Sequence, residues 1–279
     1  LLSNKSPISK WTTTLLMGLL SFVFLMPLLW MLSAAAKYEK DVMVFPIQWI
    51  PVKWNLINNF REVWLGSVPF TLFYYNSFKL ALTITLATLI FASMAAYAFA
   101  KLQFRGRNMA FATLLSLMII PSESTLVPRY LLLTWLHLYN THAGLMLMGM
   151  FSTTYFTFLL RQFMVSIHRE FLEAAKIDGA GYVKIYIQII LPLSKPILAT
   201  VAIMKFIWVW NDYQNPLIFL ISERLYPIPL GLQLFKNEFA DNYAVLMMAS
   251  VAAILPLVIV FIILQKQVIK GISLGGVKG

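Results

Sequence analysis

Long uncharged apolar runs alternate along this chain with shorter segments that gather its charge. The runs 11–36, 80–100, 108–128, 142–160, 196–221 and 242–265 are close to or above the roughly 20 residues that carry a helix across a hydrocarbon layer of about 30 Å. The first closes at Lys37 and the second lies between Lys79 and Lys101. Glu123 interrupts the far end of the third, and the fifth contains Lys205 and Asp212. Continuous apolar runs predict helices rather than barrel strands, whose apolar positions alternate. The expected fold is an all-α integral membrane protein, a single domain with six transmembrane helices.

Two of the intervening segments are long. Segment 37–71 holds Pro46, Trp49, Pro51 and Trp54, a mixture expected of a structured outer cap at a membrane interface. Segment 161–195 has its own periodicity. From Ile167 to Ile177, the spacing puts Ile167, Phe171, Ala174 and Ala175 on one helical face and Arg169, Glu173 and Lys176 on the other. Ser166 is placed to cap the start of this helix, and Gly179 to stop it in the left-handed region. Tyr182, Ile185, Tyr186, Ile189, Ile190 and Leu193 then recur at helical spacing, with Lys184 and Gln188 opposite. Pro192 and Pro196 are expected to bend or end that second helix. The result is a surface helix–turn–helix. Periodicity alone leaves two uses open for it: an amphipathic hairpin resting on lipid headgroups, or a helix offered to a groove on a partner.

Composition fits this picture: 60% of residues are hydrophobic and 12% charged, against about 25% charged in soluble domains. The absence of cysteine excludes disulfides, thiol catalysis and cysteine-held zinc. The net charge of +11 raises the question of an acidic partner. Its distribution answers differently. With the N-terminus inside, Lys5, Lys10, Lys101, Arg105, Arg107, Arg161, Arg169, Lys176, Lys184, Lys195, Lys266, Lys270 and Lys278 fall on inner segments. The outer segments carry about half as many cations, which is the positive-inside pattern. Both termini are therefore expected in the cytoplasm, and no nucleic-acid partner is expected. The sequence opens on Leu1, which points to a start further upstream, and nothing before Trp11 has the form of a cleavable signal peptide.

Polar residues inside apolar runs are costly and tend to face a bundle interior or water. Asn211, Asp212, Gln214 and Asn215 form the densest such group, followed by Pro216. Amides and carboxylates offer the donors and acceptors that sugar hydroxyls need, and Trp208 and Trp210 offer ring faces. These residues, with Asn76 and Glu123, are candidates for a translocation path, against the alternative that they bond neighbouring helices or mark the outer end of a span; Glu123 lies in a Pro121-Ser122-Glu123-Ser124 stretch that reads as a kinked gate or a water-exposed helix end. Lys205 has two possible settings, paired with an acid or reaching water. His137, His142 and His168 are scattered, so no metal site is expected. The chain has no Gly-x-x-x-x-Gly-Lys-Ser/Thr loop and no other phosphate-cradling glycine loop, so any ATP hydrolysis that drives it happens elsewhere.

Glu173-Ala174-Ala175, Gly179, Ile189, Leu191 and Pro192 stand at the spacing of the EAA loop of ATP-binding-cassette (ABC) importer permeases, which this segment resembles. "YNS" from Tyr75, "YAFAKLQFRGR" from Tyr97, "WNDYQNPLIFL" from Trp210 and a C-terminal "GGVKG" are similar to carbohydrate-importer permeases of the maltose-permease type. The resemblance implies a bacterial inner-membrane subunit for a carbohydrate, an oligosaccharide in particular. It pairs such a subunit with a second homologous permease, two ATPase subunits and an extracytoplasmic solute-binding protein. It further implies that Phe171, Leu172, Glu173, Ala174, Ala175, Asp178, Gly179, Ile189, Leu191 and Pro192 belong to an ATPase-coupling element, with Gly275 and Gly276 in a tail near the same interface. Two places depart from the pattern: His168 stands where the family has proline, and Gln214-Asn215 where it commonly has an apolar or aromatic pair. A non-sugar solute, or ion-driven secondary transport, is the alternative.

Overall fold

The computed structural model describes residues 7–275, with side chains from 11 to 266, and among the described residues there is no β-strand. The helices are α1 (Pro7–Ala35), α2 (Leu56–Leu65), α3 (Phe70–Lys101), α4 (Arg107–Ser116), α5 (Leu126–Trp135), α6 (His142–Phe151) and α7 (Thr154–Ser166). They continue with α8 (Glu170–Ile177), α9 (Tyr182–Ile185), α10 (Leu191–Leu193), α11 (Lys195–Trp210), α12 (Gln214–Phe219), α13 (Ile228–Glu238) and α14 (Tyr243–Gly275). Among the described residues, four helices are long and apolar enough to cross a membrane, or up to six if each bent pair counts as one span.

The breaks differ from the simple expectation of one straight helix per apolar run. The run 108–128 is cut after Ile119: the flanking helical stretches meet at 97°. Pro121 lacks the N–H that would continue the helical ladder, and Ile120 is extended. The run 196–221 ends its first helix at Trp210, and a turn separates it from α12. Between α9 and α10 the backbone takes a π-helical turn over Tyr186–Ile190. A wider turn of this kind relaxes a ladder that Pro192 interrupts. A 78° bend then separates Tyr182–Leu193 from Lys195–Trp210.

The chain divides into two compact units, residues 1–71 with 232–255, and residues 72–231 with 256–279. In the first, none of the most apolar stretch of α1 is buried. The segment after α1 is ordered by polar ties. The Asn59 amide donates to the carbonyls of Ala35 (2.9 Å) and Lys37 (2.8 Å), and the buried Lys37 ammonium donates to the Gln48 carbonyl. The Ala244 N–H, in the first turn of α14, donates to the Glu39 carboxylate at 2.8 Å, a favourable place for negative charge.

Two apolar clusters of the second unit position the candidate residues. One gathers Ala92, Ala96 and Tyr97 of α3, Phe156, Leu160 and Met164 of α7, Leu172 and Ala175 of α8, and Ile185, Ile190, Ile197 and Val201 further on. The other gathers Leu80, Ile84, Leu133, Leu145, Phe219 and Leu220. The first cluster runs along α7 and under α8, the second reaches the C-terminal end of α11 at Val209, and each adjoins a group of candidate functional residues.

Candidate functional site

The first group is the 170–193 hairpin. Its opening helix is α8, which begins three residues later than the periodicity implies. Ser166 closes α7 instead of capping α8: its hydroxyl donates back to the Phe163 carbonyl at 2.7 Å. The apolar face is also rotated from the expected one. Leu172 and Ala175 are the buried pair, whereas Phe171 and Ala174 are exposed along with Glu173. Positions 172 and 175 are one turn apart and point to the core together; 171 and 174 point away for the same reason. Glu170 and Glu173 lie in the first turn of α8 and Lys176 in the last, the arrangement that its dipole favours.

The stop is the one the sequence announces. Gly179 has φ of +76°. The Gly179 N–H donates to the Lys176 carbonyl (3.0 Å) and the Ala180 N–H to the Ala175 carbonyl (2.9 Å), the paired bonds of a Schellman motif with Asp178 as the last half-helical residue. The return arm places Ile185 and Ile190 in the core with Ile189 against it, while Leu191 is half-buried and Pro192 exposed. Polar contacts fasten the hairpin to α3. The Tyr97 hydroxyl donates to the Tyr182 carbonyl at 3.2 Å, and the Ser93 and Tyr186 hydroxyls lie 2.6 Å apart. The Lys101 ammonium donates to the carbonyls of Val165 and Ile167, satisfying the C-terminal end of α7. The outcome is an exposed apolar and charged face (Phe171, Glu173, Ala174, Ile177) on a base anchored by Leu172 and Ala175. Gly275 closes α14, and Gly276 lies outside the described residues.

The second group surrounds a cavity of about 260 Å³ at the other end of α7 and α11. Its polar wall is Arg129, Ser152, Lys205, Asp212 and Asn215; Trp208, Met148, Ile84 and Val209 are among the apolar residues. Asp212 caps the first turn of α12: its carboxylate accepts the Asn215 N–H at 3.1 Å and the Asn215 side-chain amide at 2.8 Å. The amide oxygen of Asn215 is left to accept Nη1 of Arg129 at 3.2 Å. Arg129 also donates to the carbonyls of Ser122 (2.9 Å) and Thr125 (3.3 Å), so its guanidinium ties the break after Ile119 to the turn before α12.

Lys205 sits at the interruption between α6 and α7. Its Nζ donates to the carbonyls of Gly149 (3.1 Å) and Ser152 (3.2 Å), where α6 gives way to α7. The Thr153 N–H turns instead to the Phe151 carbonyl at 2.9 Å, which frees the Gly149 oxygen for the ammonium. Lys205 is thus buried, 4% exposed, with carbonyl oxygens as acceptors and the Phe156 ring 5.6 Å away.

Of the candidate path residues, Trp208, Asp212 and Asn215 line this cavity. Trp210 does not: it is 2% exposed and packs on Tyr74, Phe78 and Phe206. Residues two apart on a helix point to nearly opposite sides, so one tryptophan of the pair had to face inward. Asn76 is buried elsewhere, its amide donating to the carbonyls of Arg224 (2.9 Å) and Tyr226 (3.0 Å). Glu123, Asn211 and Gln214 are exposed, Glu123 accepting from Ser122 at 2.7 Å and Asn211 donating to the Ile207 carbonyl at 3.0 Å. Arg129 and Ser152 were not legible as site residues, because their partners lie 53 to 86 positions away. Among the described residues, no three His, Asp or Glu side chains form a group that could hold a metal ion.

The chain matches the model of the binding-protein-dependent transport system inner membrane component family over residues 3–274. It is 32% identical over 275 residues to the arabinooligosaccharides transport system permease protein AraQ of Halalkalibacterium halodurans, with 98% of each chain covered. It is 35% identical to the melibiose/raffinose/stachyose import permease protein MelC of Bacillus subtilis, covering 95% of this chain and 96% of that one. The fold superposes with a TM-score of 0.82 and 25% identity on a chain from the crystal structure of a bacterial ABC transporter involved in the import of the acidic polysaccharide alginate, covering 94% of this chain and 98% of that one. A family model over nearly the whole chain and two relatives above 30% identity agree, and the chain belongs to the binding-protein-dependent transport system inner membrane component family.

Proposed function

We propose that this chain is a membrane-spanning subunit of an ABC importer that admits an oligosaccharide to the cytoplasm by alternating access. The observation that carries the reading is the split character of α8. Its inner side, Leu172 and Ala175, is built into the core, and its outer side, with Phe171 and Ile177 52% and 87% exposed, is unfilled. A helix held so firmly on one side and so open on the other is a handle. It transmits a push only if a partner binds its two positions unequally.

The route for that push is short. The cluster under α8 includes residues of α3, α7 and α11. At about 1.5 Å per residue, α7 and α11 are roughly 20 and 24 Å long, and their far ends meet at Lys205 and the cavity. Movement of α8 therefore reaches Arg129, Asp212 and Asn215 through rigid helices. In this reading both termini and the 161–195 loop are cytoplasmic, six spans cross a bacterial cytoplasmic membrane, and segment 37–71 caps the outer side. A second homologous permease completes the pathway. Two ATPase subunits, which hold ATP and magnesium, dock on α8 and the Gly275–Gly276 tail, and a solute-binding protein delivers the sugar. The membrane lipid covers the exposed apolar flanks. The names of the curated relatives, which refer to arabino- and raffinose-type oligosaccharides, support the substrate class.

The test is co-expression of the chain with its partner permease, ATPase subunits and binding protein, followed by measurement of ATP hydrolysis with and without sugar-loaded binding protein. Glu173→Lys is expected to abolish stimulation while the permease pair still assembles. Full stimulation in that variant would contradict the assignment.

A further inference from the structure

The wall of the cavity carries two cations, Arg129 and Lys205, and one carboxylate, Asp212. Both cations are held by neutral oxygens. Arg129 reaches the carbonyls of Ser122 and Thr125 and the amide oxygen of Asn215; Lys205 reaches the carbonyls of Gly149 and Ser152. An ammonium has three N–H donors, and these two bonds use two of them. The Asp212 oxygens already accept both N–H groups of Asn215. Asp212 is close enough to act on Lys205, but it is one carboxylate against two cations in this wall, and the cation left over is what a ligand carboxylate would balance.

Resting on the importer reading above, we propose that this cavity is a subsite for one carboxylate-bearing pyranose ring of the transported saccharide. Its volume of about 260 Å³ lies just under the roughly 300–1,000 Å³ typical of small-molecule pockets, which suits one sugar ring rather than an oligosaccharide. The half-exposed Trp208 indole offers an apolar platform for the ring C–H face. Arg129 and Lys205 take the carboxylate, Arg129 through a charge-assisted bond. Asp212 and Asn215 keep lone pairs for hydroxyl donors. A neutral sugar satisfies this second pair but leaves the cations as they were, so the subsite selects uronic over neutral units.

The test uses the purified, fully assembled transporter and saturation-transfer NMR with two probes, D-galacturonate and D-galactose. A preference for galacturonate of about tenfold is expected, the worth of one hydrogen bond to a charged group. Arg129→Gln should erase most of that preference, and Arg129→Lys should restore part of it. Arg129 also ties Ser122, Thr125 and Asn215 together, so Arg129→Lys, which keeps the charge without the guanidinium fork, separates the charge from those ties. Equal binding of the two probes by the unaltered transporter, or an undiminished preference in Arg129→Gln, would overturn the proposal. ATP hydrolysis stimulated by loaded binding protein, measured on the same preparations, separates the two levels. Stimulation without galacturonate preference removes the subsite and leaves the importer reading standing; no stimulation in the unaltered transporter removes the reading on which both rest.

Discussion

Phe171→Ala separates docking from folding. The Phe171 side chain is 52% exposed on the outer face of α8. Complete burial of a phenylalanine side chain contributes about 1.5–3 kcal/mol, so the open half of this ring has roughly 1 kcal/mol to give to a partner that covers it. That corresponds to about fivefold in the docking constant. Its neighbour Leu172 is 7% exposed inside the core cluster, where truncation to alanine costs about 2–5 kcal/mol of stability. The two variants should therefore behave oppositely. In lipid nanodiscs holding the permease pair, titration with the ATPase subunits should show about fivefold weaker docking for Phe171→Ala, with a melting temperature lowered only by the about 2–4 °C that the covered half of the ring is worth. Leu172→Ala should lower the melting temperature by several degrees. The reasoning is refuted if Phe171→Ala docks as well as the unaltered chain, or if it melts as early as Leu172→Ala.

Two further substitutions check the local physics. Gly179→Ala places a Cβ in open space but at φ of +76°, so it should cost about 1–2 kcal/mol from backbone conformation alone, read as earlier protease cleavage within the hairpin. Asn76→Leu removes two hydrogen bonds to the carbonyls of Arg224 and Tyr226 and strands those oxygens; a loss of about 2 kcal/mol in thermal stability is expected, with binding of galacturonate to the cavity unchanged.

The sequence made the helices legible because each apolar run is long, and it made the hairpin stop legible because Gly179 does a local job. It did not reveal the phase of α8. Periodicity identifies a stripe, but Ile167 belongs to the segment before the helix, and including it rotated the expected face by one residue onto Phe171. The interruption between α6 and α7 has no proline or glycine at Ser152–Thr153 to mark it, and the ammonium that occupies its free carbonyls comes from α11, 53 positions away. The Arg129–Asn215–Asp212 chain was half visible. Asp212 and Asn215 stood out as polar residues in an apolar run, whereas nothing near Arg129 in the sequence marks it as their partner, 86 positions from Asn215.

The account's central claim is that α8 is the surface on which an ATPase subunit seats. Since the chain has no cysteine, Ala174→Cys introduces a single thiol on the exposed face of that helix. The decisive measurement is disulfide cross-linking of this variant, in the assembled transporter in native membranes, to single-cysteine ATPase subunits. The account predicts a permease–ATPase cross-link whose yield changes when ATP is bound. It is contradicted if Ala174→Cys forms no such cross-link and is instead labelled, in intact cells, by a membrane-impermeant maleimide from outside.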